Sequence, residues 1–176
     1  MLNVVVKFLT RIELVKNLNN IGMRRKRNYK RDILPDPKFQ NVVVAKFINR
    51  LMTRGKKSTA QRVFYDAFEI LAKQQKDPLK IFDEAIKNIS PALEVKSKRI
   101  GGANYQVPRE VRGERKLTLT FRWIIEGARA KKGKPMAQKL AEEFLAASKN
   151  EGTAIKKKQD MHRMAEANKA FAHFSW

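Results

Sequence analysis

One short segment interrupts an otherwise helical hydrophobic pattern, and it limits the possible folds more than any other part of the chain. Residues 93 to 116 read LEVKSKRIGGANYQVPREVRGERK. Gly101-Gly102-Ala103-Asn104 divides the stretch, and glycine and asparagine tolerate the positive φ of a tight reversal. The pattern predicts a β-hairpin at about residues 93–112. From Val95 to Lys116 it holds seven Lys or Arg (Lys96, Lys98, Arg99, Arg109, Arg112, Arg115, Lys116) against Glu110 and Glu114. A lone two-stranded ribbon is marginal in water and leaves unpaired backbone edges. Pro108 and the dense charge discourage pairing with another sheet. Such an arm needs a partner, and its charge makes that partner a polyanion. With few apolar residues, it is expected to add little to the core.

Elsewhere apolar residues recur at helical spacing. Asp36-Pro37 has the form of a helix start, an N-cap acceptor before a proline. Phe39, Val43, Phe47 and Leu51 follow as one stripe, and Gly55 ends it. Ser58 and Gln61 have capping-box spacing ahead of Val63, Phe64, Ala67 and Leu71. Asp77-Pro78 opens a third helix over Phe82, Ala85, Ile86 and Ile89, stopped by Ser90-Pro91. A fourth starts near Glu114 or Arg115 and carries Leu117, Phe121, Ile124, Ile125 and Ala128 inward, with Trp123 in or near the core. Pro135 launches a fifth over Leu140, Ala141, Phe144 and Leu145. The last, about Thr153 to Phe171, is polar, with Met161, Met164 and Ala165 as its apolar residues, and is expected to lie on a partner. The fold class is mainly α: a single-domain bundle of about six helices with a protruding two-stranded β-ribbon arm.

The chain has 39 Lys plus Arg against 17 Asp plus Glu, a net charge of +22, while 43% of residues are hydrophobic. That combination describes a folded basic protein, and nucleic acid is the expected partner. An anionic membrane surface is the weaker rival. With no cysteine, disulfides, thiolate metal sites and cysteine catalysis are excluded. Residues 23 to 31, MRRKRNYKR, form a self-repelling block that phosphate would neutralise. Residues 1–22 are mildly amphipathic, and are either a targeting peptide or the product of a start codon upstream of Met23; the second reading is preferred. The domain organisation expected is therefore a leader at 1–22, a basic N-terminal arm at 23–35 and a helical body at 36–176.

No catalytic site emerges. His162 and His173 stand eleven residues apart on one helical segment, too far to share a metal, and read as surface imidazoles near phosphate. Arg54-Gly55-Lys56-Lys57-Ser58 lacks the first glycine of a phosphate-binding loop, since Arg50 stands there. Asp83 and Glu84 are adjacent on a helix and point apart. The chain is read as a non-enzyme with no cofactor, no metal and no small-molecule substrate. Basic clusters recur at the N-terminal arm, Arg54 to Lys57, the hairpin, Arg129 to Lys134 and Lys156 to Lys158. Tyr105 at the hairpin tip either stacks on an unpaired base or packs across the strands.

Three stretches are familiar: GGANYQVPREVR (Gly101 to Arg112), Gly55-Lys56-Lys57 followed by Val63-Phe64, and HRMAEANKAFAHFSW (His162 to Trp176). They closely resemble the bacterial form of the small-subunit ribosomal protein seven family, and the resemblance runs from about Met23 to Trp176. It implies a structural protein that binds the 3′ major domain of small-subunit ribosomal RNA, nucleates assembly of the subunit head and lies by the exit site. The implied partners are that RNA, exit-site transfer and messenger RNA, and small-subunit protein eleven, without a membrane. The implied RNA contacts are Arg24, Arg25, Lys26, Arg27, Lys30, Arg31, Lys56, Lys57, Lys96, Lys98, Arg99, Arg109, Arg112, Arg115, Lys116, Lys131, Lys132 and Lys134. Gly101, Gly102, Asn104, Tyr105, Gln106 and Trp176 would lie toward the exit-site RNAs. The implied location is the ribosome of a bacterial cytoplasm, with a mitochondrial or plastid ribosome as the alternative. Gly113 departs from the family, where many bacterial members have proline, as does the leader before Met23.

The competing class is a DNA-bending architectural protein, which also joins a helical body to basic ribbon arms. Such arms usually carry an apolar wedge near the tip, whereas this tip is Gly-Gly-Ala-Asn-Tyr, with only Ile100 and Val107 as candidates. A nucleic-acid-processing enzyme is the third class, and it lacks a site.

Overall fold

The computed structural model describes residues 33–74 and 77–174; the basic block at 23–31 and Trp176 lie outside them. The described residues form six α-helices, one two-stranded antiparallel sheet and a closing 3-10 helix. Helices α1 (Val42–Leu51), α2 (Lys57–Lys73) and α3 (Pro78–Ile89) precede the ribbon, strands β1 (Leu93–Ile100) and β2 (Ala103–Glu110). Helices α4 (Gly113–Ala130), α5 (Met136–Ser148) and α6 (Thr153–Ala167) follow, and Lys169–Phe174 forms the 3-10 helix.

Phenylalanines from five helices meet in one aromatic centre. Phe47 of α1 packs against Phe64, Phe82, Phe121 and Phe144, with ring centroids 5.2 to 5.6 Å apart. The contacts to Phe82 and Phe121 are edge-to-face, the arrangement the ring quadrupole favours. Phe47, Phe64, Phe82 and Phe144 are each fully buried. These are the residues that the helical stripes place inward, and Trp123 joins them, also buried.

Helix ends differ from the sequence expectation in three places, each with a local cause. Asp36 caps only a single turn, accepting from the backbone N of Lys38 and Phe39 at 3.2 Å. Gln40 then turns left-handed at φ 49°, and Asn41 starts α1 by accepting from Val43 N at 2.7 Å. The Asp36 carboxylate also accepts from the Tyr65 hydroxyl at 2.9 Å. Burial, followed by this hydrogen bond, pushes the Tyr65 phenol up to about 12. The capping box does not form: α2 begins at Lys57, already ahead of Ser58, behind a turn with Arg54 and Gly55 at positive φ. The last α-helix stops at Ala167, where the tighter 3-10 segment takes over.

Helix α6 closes the core with the buried Ala154, Ile155 and Ala165, and Met161 packs against it, while Met164 is 48% exposed. The expectation that this helix lies on a partner instead of the core is therefore corrected. Its start is built around the buried Glu143 of α5, whose Oε1 accepts from Thr153 Oγ1 at 2.9 Å and from Ala154 N at 3.0 Å. Gly127 of α4 makes room: a Cβ there would stand 2.3 Å from Thr153 Oγ1 and 2.8 Å from Glu143 Oε1.

Candidate nucleic-acid interface

The ribbon is an eight-pair antiparallel ladder from Leu93↔Glu110 to Ile100↔Ala103. Gly101 and Gly102 alone make the reversal, with φ of 57° and 90°, as a two-residue type I′ turn requires. Ala103 and Asn104 belong to the strand, not to the turn. Cross-strand partners share a face, so Lys96, opposite Val107, and Lys98, opposite Tyr105, lie on one side. Arg99, opposite Asn104, lies on the other. The ribbon is not detached from the body at its base. Val107 and Val111 are buried, and of the two Val111 joins the hydrophobic core of the bundle, a small share in keeping with the arm's few apolar residues.

His162 helps to fix that base. Its Nε2 accepts from the backbone N of Ala92 at 3.1 Å, just ahead of β1. Burial, with a smaller repulsion from Lys158, lowers its pKa, and an acceptor role requires the neutral ring. The histidine is thus a structural acceptor and not the phosphate-side imidazole expected. Lys158 is equally structural, donating to the Asn88 carbonyl at 2.6 Å at the end of α3. Lys157 pairs with Glu126.

The expected contact residues fall into three groups around this frame. At the ribbon base, Lys96, Arg109, Arg112 and Arg115 line a concavity of about 430 Å³ with Glu94 and Glu110. Arg115 Nε donates to Glu94 at 3.0 Å, whereas Lys96, Arg109 and Arg112 have no carboxylate partner among the described residues. Lys116 and Arg99 have none either. The second group surrounds the α1–α2 turn. Lys56 lines a groove of about 290 Å³ floored by Leu51, Ala60, Val63 and Met136, and Arg129 at the end of α4 reaches the same groove. The fold therefore joins two basic clusters separated by seventy residues of sequence. Arg129 belonged to the recognised run Arg129 to Lys134 but was not singled out, and only the packing of α4 against α1 and α5 reveals its place.

The third group, in the α4–α5 turn, is largely committed internally. Lys131 Nζ stands 3.0 Å from the buried Glu143 Oε2 and 3.8 Å from Glu142. Lys134 pairs with Glu142, and that hydrogen bond is the main cause holding the Glu142 carboxyl below its ordinary pKa. Lys132 has no such partner among the described residues. Near the ribbon tip, Tyr105 faces Lys98 across the strands rather than another ring. It packs against Phe171 and Phe174 of the 3-10 helix, at 5.2 and 5.5 Å between centroids. Lys98 Nζ donates to the Phe174 carbonyl at 3.1 Å. Arg24, Arg25, Lys26, Arg27, Lys30, Arg31 and Trp176 are outside the described residues.

Among the described residues there is no cluster of His, Asp or Glu fit to hold a metal ion, and no helix is long and apolar enough to cross a membrane. The arrangement offers cations on a ribbon and in grooves, spaced for a polyanion, and no convergent reactive groups among the described residues. Comparison with known proteins agrees. The family model described as Ribosomal protein S7p/S5e matches residues 23–169. Small ribosomal subunit protein uS7 of Thermotoga maritima is 59% identical over 155 residues, covering 88% of this chain and all of that protein. The uS7 proteins of Thermosipho melanesiensis and Anaeromyxobacter sp. strain K are 58% and 55% identical, covering 88% and 87% of the chain and 100% and 99% of their own lengths. The unpaired cations, the ribbon and the helical body thus have one common explanation: the chain belongs to the Ribosomal protein S7p/S5e family, whose members are structural ribosomal proteins and not enzymes.

Proposed function

We propose that this protein folds and holds RNA in the small ribosomal subunit, binding the 3′ major domain of the small-subunit ribosomal RNA directly and nucleating assembly of the subunit head. Its place is the ribosome of a bacterial cytoplasm, as for its relatives. The observation that carries the reading is the division of its cations. Arg115, Lys131 and Lys134 are held by carboxylates, while Lys96, Arg99, Arg109, Arg112, Lys116 and Lys132 have none among the described residues. Lys56 and Lys57 at the α1–α2 turn are likewise unpaired there, and with Arg129 they extend the contact surface beyond the ribbon. Arginines fork onto phosphate oxygens while lysines act as point charges, so the surface reads RNA backbone and shape.

In this reading residues 23–35 are a basic arm, 36–176 the RNA-binding body, and residues 1–22 add nothing to binding. The ribbon tip lies toward exit-site transfer and messenger RNA, and small-subunit protein eleven is a neighbour. The test compares structured ribosomal RNA with duplex DNA over a salt series. If ~6–10 phosphates are neutralised, affinity for the RNA falls by about 10³–10⁵ between 50 and 200 mM salt. Replacing Lys56 and Arg129 together with Ala lowers the salt slope by about two and weakens all RNAs alike. A flat salt plot, or equal affinity for duplex DNA, overturns the proposal.

A further inference from the structure

The ribbon tip carries a feature that phosphate binding does not use. Tyr105 is the tip's one aromatic residue, and the 3-10 helix supplies two rings to it from sixty-odd residues away. Phe171 and Phe174 are nearly parallel, 13° apart in plane, with centroids 6.4 Å from each other, and Tyr105 lies across both. The Lys98–Phe174 hydrogen bond fastens the same pair of elements. None of Lys169–Phe174 is buried, however, and a six-residue 3-10 helix has poorer hydrogen-bond geometry than an α-helix. The cover is specific in geometry and weak in burial, as expected of a contact that opens locally while the bundle stays folded.

We infer that the Tyr105 ring is a stacking site for an unpaired RNA base, occupied in the closed protein by the chain's own Phe171 and Phe174. A phenol face flanked by cations takes a base of any identity, because every base has a π-face and the adjoining phosphate meets the charge. Lys98 lies directly opposite Tyr105 in the ladder, and Lys96, two residues along β1, lies on the same face. When the 3-10 helix lifts, the two phenylalanines leave and a base takes their place. Lys98, on the same face, adds a cation to which the phosphate adjoining a stacked base is drawn. RNA and the C-terminal turn therefore compete for one ring. This site rests on the RNA-binding function proposed above and adds a stacking contact to it.

The experiment uses the full chain, its Phe171→Ala/Phe174→Ala variant, and that variant with Tyr105→Ala added. The probe is a short single-stranded RNA containing 2-aminopurine, whose fluorescence is quenched on stacking. Opening the cover raises affinity for the probe about threefold to tenfold and deepens the quenching, and adding Tyr105→Ala abolishes both gains. Amide exchange measured without RNA quickens at Lys98 to Tyr105 and stays slow in α1 to α5. No gain on removing the phenylalanines, or a gain that survives loss of Tyr105, overturns the inference. So does loss of cooperative unfolding in the double variant, since the turn would then be core. Failure of the broader reading looks different: the chain would not bind structured ribosomal RNA in a salt-dependent way, whatever the tip does. Unchanged tip exchange in the double variant refutes the covering role in that case too.

Discussion

The bundle and the ribbon each hold a cluster of aromatic rings, yet the two clusters are built on different terms. In the bundle, Phe47 meets four rings from four other helices and is fully buried. At the ribbon, Tyr105 meets two rings from one short segment that buries none of its residues. Ring-to-ring distances are nearly the same in both. What differs is the exclusion of water, which supplies most of the stabilisation, since ring geometry adds only about 0.5–1.5 kcal/mol beyond burial. Like contacts therefore give a rigid centre in one place and a separable cover in the other. The ribbon base lies between these limits, anchored by Val107 and Val111 and by the hydrogen bond to His162.

Three changes probe that gradient. Phe47→Ala removes the ring common to five helices and should cost about 3–5 kcal/mol, read from the midpoint of denaturant unfolding. A loss under about 1 kcal/mol would mean that the centre repacks freely and that the contrast with the ribbon is unfounded. Val107→Ala deletes two buried methyl groups at the ribbon base, worth about 1.5 kcal/mol. Its effect on the bundle's unfolding midpoint should be clear but smaller, and no change at all would restore the picture of an arm independent of the core.

The smallest effect concerns pH. The native pKa of His162 lies below its ordinary value, so on acidification the unfolded chain takes up the proton first. Its stabilising contribution is complete above about pH 6.5, the ordinary histidine value, and is lost as pH falls through the lowered native value. Exchange of the Ala92 amide should quicken in that window, with the α1 amides unaffected. A His162→Gln chain should show no such window. If exchange at Ala92 is level across that range, the ribbon base is held by its valines alone.

Periodicity carried most of the fold because a helix repeats its inward face every 3.6 residues, and the phenylalanine stripes of α1 to α5 mark that face directly. The ribbon was equally legible, since consecutive glycines between strand-like runs have few alternatives. Helix ends were less so. Ser58 has the spacing of a cap, but the left-handed Arg54-Gly55 turn starts α2 before it. Asp36 caps one turn and is then used by Tyr65, twenty-nine residues on. The cationic character of the interface was evident from composition alone, but not which cations are available. Lys131 and Arg115 look no different in sequence from Lys132 and Arg112, and only the approach of Glu143 and Glu94 separates them.

By itself, then, the sequence determined what depends on neighbours along the chain: the helical stripes, the two-glycine reversal and the excess of positive charge. Tertiary structure alone decided what depends on residues distant in sequence. It set Arg129 beside Lys56, made His162 an acceptor for Ala92, and laid Phe171 and Phe174 over Tyr105. The physical reason is one of range. Backbone preference and amphipathic spacing act over a few residues, whereas burial and hydrogen-bond satisfaction act between whatever surfaces packing brings together.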